Sequence, residues 1–298
     1  MKKVLFAFLH AIRLTNFAAW WYRKQVVILC YHGVTKRPSR SPDDAQALHV
    51  NHLRFAAHLD YLESRYHVIS LNDYLTANLT QTPLPDYCVV LTFDDGFRNF
   101  LTAAAPLLAE RGMPATAFII TDWTSDAPAT EKSREWTPDD DTSHLSWAEV
   151  DELRATQQVE FGSHTCTHSR LLTLSQEKIE HELLHSKNEM VAHLSIEQPT
   201  LSYPKGQYSK LLAEDARRLG YACAVTTDRG PNELDHDLFT LGRTLIGDND
   251  DIASFAVRVS GLRWWLARLR VPFQDRPTET SQRAPATTVT PGLSRVTD

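Results

Sequence analysis

A chain of 298 residues has room for one large α/β domain or two small ones, and 42% hydrophobic with 23% charged residues is the balance of a folded globular chain. A net charge of −6 argues against wholesale nucleic-acid binding, which needs a basic surface. The four cysteines (Cys30, Cys88, Cys166 and Cys223) lack CxxC spacing, which excludes zinc-ribbon and thioredoxin-like sites. Free, reduced, buried thiols are expected, and these fit a cytoplasmic setting, with the inner face of the membrane as the alternative.

The N-terminal stretch, residues 1–24, has an apolar run broken by His10 and Arg13 and no small-x-small cleavage signal. It is too polar to span a bilayer as one helix. Trp20, Trp21 and Tyr22 followed by Arg23 and Lys24 suit an amphipathic helix lying at a membrane interface, or one docked on the protein's own body. "QVVILCYHGV" (25–34) then reads as a buried strand, "NHLRFAAHLDYLESRY" as a helix, "HVISL" as a strand and "LNDYLTANL" as a short helix. "DYCVVLTF" (86–93) is the third strand, and "FRNFLTAAAPLLAERG" a helix closed by Gly112.

The alternation continues with a strand at "PATAFII", a helix at "LSWAEVDELRAT" capped by Ser146, and a strand at "QVEFGSH". A long helix, the strand "PTLSYP", a helix ending at Gly220 and the strand "YACAVTT" complete the series. Short apolar strands alternating with helices imply a parallel sheet in a single α/β domain over residues 25–273, and the count favours a distorted (β/α) barrel of about seven strands. "DIASFAVRVSGLRWWLARLRVPF" places Arg258, Arg263, Arg268 and Arg270 among apolar residues. That suits either a basic amphipathic helix meeting anionic lipid or a closing helix of the barrel. Residues 274–298 hold almost no large apolar side chains and are expected to form a disordered tail.

The chemistry is expected at the C-terminal ends of the strands. Asp94 and Asp95 leave the third strand side by side, in "VVLTFDDGFRNF". An aspartate after a strand often caps the next helix, which accounts for one of the pair but not both. A second cluster, His164 and His168 in "FGSHTCTH", also follows a strand. Two histidines and one aspartate make a three-ligand site with open positions, which suits catalytic zinc or a similar divalent ion. The other aspartate is left as a base toward water, so the residues point to metal-assisted hydrolysis.

"TFDDG" followed some 70 residues later by "HTCTH", with "CYHGV", "LSWAEV" and "SYPKGQY" around them, resembles the polysaccharide deacetylases of carbohydrate esterase family four. The resemblance spans roughly residues 25–250 and implies a (β/α) barrel with fewer than eight strands. It further implies removal of N-acetyl (or O-acetyl) groups from an N-acetylated sugar, with a divalent metal that is zinc or else cobalt, nickel or iron. It assigns Asp94 as general base and Asp95, His164 and His168 as metal ligands, with Tyr203 and Pro204 in the substrate-binding third motif.

Two departures stand out. The family's arginine two residues before Pro204 is replaced by Ser202, and the histidine of its late Leu-x-His motif is replaced by Arg243. Arginine stays protonated and cannot act as the proton donor. His32, in "CYHGV", is the expected donor, as in the branch of the family acting on poly-N-acetylglucosamine. Arg243 is left to orient Asp94 or to bind an anionic part of the substrate. The expected partner is an N-acetylated glycan or a lipid-linked sugar, with peripheral membrane contact. Two alternatives remain: a deformylase or deacylase of a lipid-linked aminosugar, and a barrel that binds glycan without catalysis.

Overall fold

The computed structural model describes residues 2–36, 48–125, 143–228 and 230–268, so the tail expected from Gln274 lies outside the described residues. Helices α1 (Lys2–Ala11) and α2 (Leu14–Trp21) lead into β1 (Val27–Tyr31), β2 (Gly33–Thr35) and β3 (His49–Asn51). There follow α3 (His52–Glu63), β4 (His67–Ile69), α4 (Leu71–Thr80), β5 (Cys88–Phe93), α5 (Ala105–Glu110) and β6 (Ala115–Ile119). The second half contains α6 (Trp147–Ala155), β7 (Val159–Ser163), α7 (Gln176–Leu194), β8 (Thr200–Ser202) and α8 (Lys210–Arg218). It ends with β9 (Cys223–Val225), β10 (Arg243–Leu245), α9 (Ile252–Val259) and α10 (Leu262–Arg268).

Seven parallel strands run β10-β1-β5-β6-β7-β8-β9, and a parallel bridge from Val225 to Leu241 brings β9 back beside the approach to β10. The result is a nearly closed barrel with helices around it. An eighth strand, β4, pairs with the first half of β5, on the edge that β6 takes over at Thr92 and Phe93. The small β2-β3 pair lies apart from it.

Side-chain parity explains the interior. Along β1 and β5 alternate residues face opposite sides. Ile28 and Val90 join Phe118, Cys223, Val225 and Leu241 in one core, closed at one end by Leu71, Tyr74 and Leu75 of α4. Leu29, Tyr31, Val89, Leu91 and Phe93 face a second core beneath the helices. Asp94 continues the inward series Val90, Thr92, so its carboxylate enters the barrel rather than the helix layer.

Three elements differ from the sequence reading. The helix expected at residues 97–111 opens with a wide π turn, Phe100–Ala104, before α5. Pro106 near the start of α5 has no N–H for the helical ladder, which accounts for the change of pitch. The N-terminal helix bends by 73° between α1 and α2, with Arg13 left-handed at φ 59°. The basic C-terminal helix is broken at Gly261 (φ 72°), where a Cβ would lie 2.7 Å from the Tyr22 ring, so glycine is needed for turn and contact alike. Ser146 does cap α6, in a reciprocal pair with Glu149.

Candidate active site

Asp94 and Asp95 diverge because the backbone turns left-handed at Asp95 (φ 72°) and again at Gly96 (φ 68°). A side chain at Gly96 would meet the Ile119 backbone at 3.3 Å. The turn aims Asp95 at the histidines of the β7 loop. Its Oδ1 lies 3.4 Å from His164 Nε2 and 3.6 Å from His168 Nε2. That oxygen is buried and has no hydrogen-bond partner among the described residues. The ligand atoms of Asp95, His164 and His168 all fall within 4.8 Å of one another. An orphaned carboxylate oxygen facing two imidazole nitrogens fits a divalent cation of the zinc type.

The loop that carries the histidines is held from both sides. Its carbonyls at Thr165 and Cys166 accept from the N–H groups of Thr121 and Asp122. Its N–H groups at Cys166 and Thr167 donate to Glu182 Oε2 of α7 at 3.2 and 3.0 Å, and the Thr167 hydroxyl donates to Oε1. This support maintains two further left-handed residues, Thr165 (φ 66°) and His168 (φ 60°). His164 Nδ1 donates to the Ser202 carbonyl at 2.7 Å, which leaves Nε2 with its lone pair toward Asp95.

Asp94 faces the opposite way, into the barrel. Arg243 places Nη1 at 2.7 Å from Oδ1 and Nη2 at 2.7 Å from Oδ2. The guanidinium is itself fixed by Thr226 O (2.8 Å), Thr92 Oγ1 (3.1 Å) and Ser202 Oγ (2.9 Å). The Phe118 ring lies beneath it at 5.7 Å. Arg243 thus orients Asp94, and with every arm engaged inside the barrel it does not reach an anionic substrate group. Asp94 Oδ2 is the oxygen turned toward His164, 4.0 Å from Nε2.

Charge and burial compete at each group. Burial raises the Asp94 carboxyl, but the Arg243 and His164 charges outweigh it and hold the group well below the usual carboxylate range. Asp95 is likewise buried yet held low, chiefly by the nearby His164 ring and then by His32 and His168. Burial depresses His164, and the Asp94 and Asp95 carboxylates more than reverse that, so its pKa lies above the ordinary value. His168 is pushed down to about 4 by burial and by the His164 charge. His32 follows β1 on the same rim and senses Asp95, Asp94, Arg243 and His164; burial lowers its pKa, and its Nδ1 has no partner among the described residues.

The expectation for Tyr203 needs correction. Ser202 takes the inward position of β8, so Tyr203 turns outward into the layer under α8. There its hydroxyl donates to Phe239 O at 3.2 Å and its ring stacks on Tyr208. Tyr203 packs the scaffold and does not face the carboxylates. Pro204 is buried at the start of the turn Pro204–Gly206 and shapes the rim through its backbone. Sequence reasoning also missed an aromatic wall. Trp123 lies 6.1 Å from His168 and 4.8 Å from His144, which stacks on Phe97 at 5.1 Å. Trp123 follows the end of β6, so the strand-end rule that selects the aspartates could have found it.

The profile of the family "Polysaccharide deacetylase" matches residues 81–224. YxkH of Bacillus subtilis (strain 168) is 26% identical over 238 residues, covering 79% of this chain and 76% of YxkH. The poly-beta-1,6-N-acetyl-D-glucosamine N-deacetylase of Escherichia coli (strain K12) is 24% identical over 228 residues, covering 66% of this chain but only 33% of that protein. Among solved structures, the Streptococcus pyogenes deacetylase PplD in complex with acetate superposes with a TM-score of 0.67 at 23% identity, over 79% of this chain and 98% of PplD. Residues 81–224 thus carry a polysaccharide deacetylase domain, and the chain is similar to deacetylases over most of its length.

Proposed function

We propose that the protein is a metal-dependent N-deacetylase of a polymer containing N-acetylglucosamine. The observation that carries this is the pairing of an orphaned Asp95 oxygen aimed at two histidine nitrogens with a separate carboxylate, Asp94, clamped by Arg243. The substrate class is supported by the similarity to the Escherichia coli N-deacetylase and by His32, buried on the same rim within electrostatic reach of Asp95 and Asp94.

Asp95, His164 and His168 would hold the metal, which when bound polarises the amide carbonyl and makes water more acidic. Asp94, ionised and fixed by Arg243, accepts a proton from the attacking water at Oδ2. The water oxygen bonds to the acetyl carbon, the carbon–nitrogen bond breaks, and acetate and a free amine leave. His32 transfers a proton to the departing nitrogen. Burial keeps His32 neutral at rest, so the proton it delivers is the one Asp94 took from water, passed on to His32, which returns Asp94 to its ionised form. Trp123 offers an aromatic face beside His168 on which a sugar ring can stack.

The test is acetate release from β-1,6-linked N-acetylglucosamine oligomers with zinc or cobalt supplied, beside metal content and a His164→Ala control. Acetate release and bound metal, both lost in the control, support the reading. Metal without acetate release on any acetylated sugar overturns the activity, and no metal at all leaves a glycan-binding barrel.

A further inference from the structure

The terminal helices form a module whose inner face is committed and whose outer face is not. Phe6, Leu9 and Ala18 of α1 and α2 pack with Val257 and Leu262, and Leu14, Trp265 and Leu266 complete that cluster. The opposite side carries Val4, Leu5, Phe8, Ile12, Phe17, Trp20 and Trp21, all exposed; Val4 is 74%, Phe8 59% and Trp21 56% accessible. Such a run of large apolar side chains within one helical hairpin marks an interaction surface.

Charge says what covers it. The chain carries a net charge of −6, yet its first acidic residue is Asp43, and neither α9 nor α10 contains Asp or Glu. Basic residues stand at the border instead: Arg13 at the bend, Arg23 and Lys24 after α2, and Arg268 at the end of α10. Arg23 lies over the Trp20 ring at 4.9 Å and Arg268 over Trp264 at 4.3 Å, so each cation sits against an indole. Asp86 pairs with both Arg23 and Lys24, so the border keeps an excess of cations. An apolar face bearing two adjacent tryptophans within a net basic border matches an anionic bilayer surface.

We infer that α1 and α2 form an interfacial anchor that docks the protein peripherally on anionic membrane. The hairpin lies on the bilayer rather than crossing it. Among the described residues no single helix is long and apolar enough to cross, and the two helices meet at 73° with one face held by α9 and α10. Ala19 and Tyr22 lie in one cleft with Val27 and Cys88, the first residues of β1 and β5. The anchor therefore sits at the N-terminal end of the barrel, and the site at the C-terminal strand ends faces away from lipid.

The test is co-sedimentation of the full chain with phosphatidylcholine vesicles, with and without about one-third phosphatidylglycerol. The expected result is retention on the anionic vesicles only, weakened about tenfold by raised salt and released by alkaline carbonate. Phe8→Ser with Trp21→Ser should lose retention at least about tenfold while keeping the far-UV circular dichroism and thermal midpoint of the wild type. Wild-type protein that stays in the supernatant overturns the inference, as does equal retention of the variant. Resistance to carbonate would mean a spanning segment instead. A stable dimer dissociated by the same substitutions would assign the face to a second copy of the chain.

Discussion

Arg243 and Asp94 meet through two parallel hydrogen bonds of 2.7 Å inside the barrel, where the arginine side chain is entirely shielded from solvent. The guanidinium that the family supplies from the strand corresponding to β8 is here supplied from β10, and Ser202, in the vacated place, accepts from Arg243 Nη2. The exchange keeps a fork-shaped donor on the base and leaves proton donation to another residue. It also keeps Asp94 ionised far into acid; in the proposed mechanism that makes it an oriented but intrinsically weak base, whose water would need a cation to acidify it.

Asp94→Asn should therefore reduce acetate release by about 10²–10⁴-fold while leaving bound metal unchanged, because Asp94 is not among the converging ligand atoms. Asp95→Ala should lose both metal and turnover. Metal analysis of the purified variants beside the rate of acetate release separates the two roles. Full activity in either variant contradicts the assignment.

Removing the other half of the pair tests stability. Arg243→Met leaves the buried Asp94 carboxylate without its counter-charge and should cost about 3–5 kcal/mol, read as a lower urea midpoint at neutral pH. Arg243→Lys keeps a charge but not the fork, and should fall between that variant and the wild type. A wild-type midpoint in Arg243→Met would mean that the ion pair does not stabilise the barrel.

Much of this arrangement is legible in the chain, and the gaps have physical causes. The strand and helix alternation gives the barrel, and strand ends select the aspartates and the histidines. Strand β10 is invisible because it has three residues and opens with a charged one, and an arginine inside a barrel has no apolar pattern to announce it. Tyr203 is different: Leu201 and Tyr203 share one parity of β8 with Ser202 between them, so period-two alternation alone turns the tyrosine outward. Glu182 cannot be seen at all, since an acidic residue in a polar helix reads as solvated until the fold places it under the histidine loop.

Acid should weaken metal binding in two stages. In the metal-free protein His164 holds a proton above its ordinary range, whereas Asp95 is ionised and His168 loses its proton at about 4. Metal uptake below the His164 pKa must therefore displace one proton, and affinity should fall by about tenfold per pH unit, then more steeply below about pH 4 as His168 is also protonated. Calorimetric zinc titrations in buffers of different ionisation enthalpy report the proton released. A pH-independent affinity in the mildly acidic range would show that His164 is not a ligand.

The role of His32 can be separated from binding by the leaving group. His32→Ala should slow hydrolysis of an acetamide by about 10²–10⁴-fold and hydrolysis of an activated aryl acetate much less, because a phenolate departs without a proton. Paired rates on the two substrates give the ratio directly. Equal losses on both would take His32 out of proton transfer.

Glu182 offers the last test, because it contacts no ligand atom yet receives both loop N–H groups and the Thr167 hydroxyl. These bonds support Thr165 and His168 in left-handed backbone, a conformation unfavourable for residues with a Cβ. Glu182→Ala removes every acceptor and leaves the N–H groups of Cys166 and Thr167 unpaired beneath the loop. His168 is then no longer held toward Asp95, and metal affinity should fall by about 10–100-fold. Glu182→Gln retains one acceptor oxygen but sets an amide donor against the rest, so it should lie between. Chelator competition measures the affinity, and the metal-free thermal midpoint reports any general loss of stability. If Glu182→Ala lowers the midpoint but binds metal like the wild type, the carboxylate supports the fold and not the ligand loop.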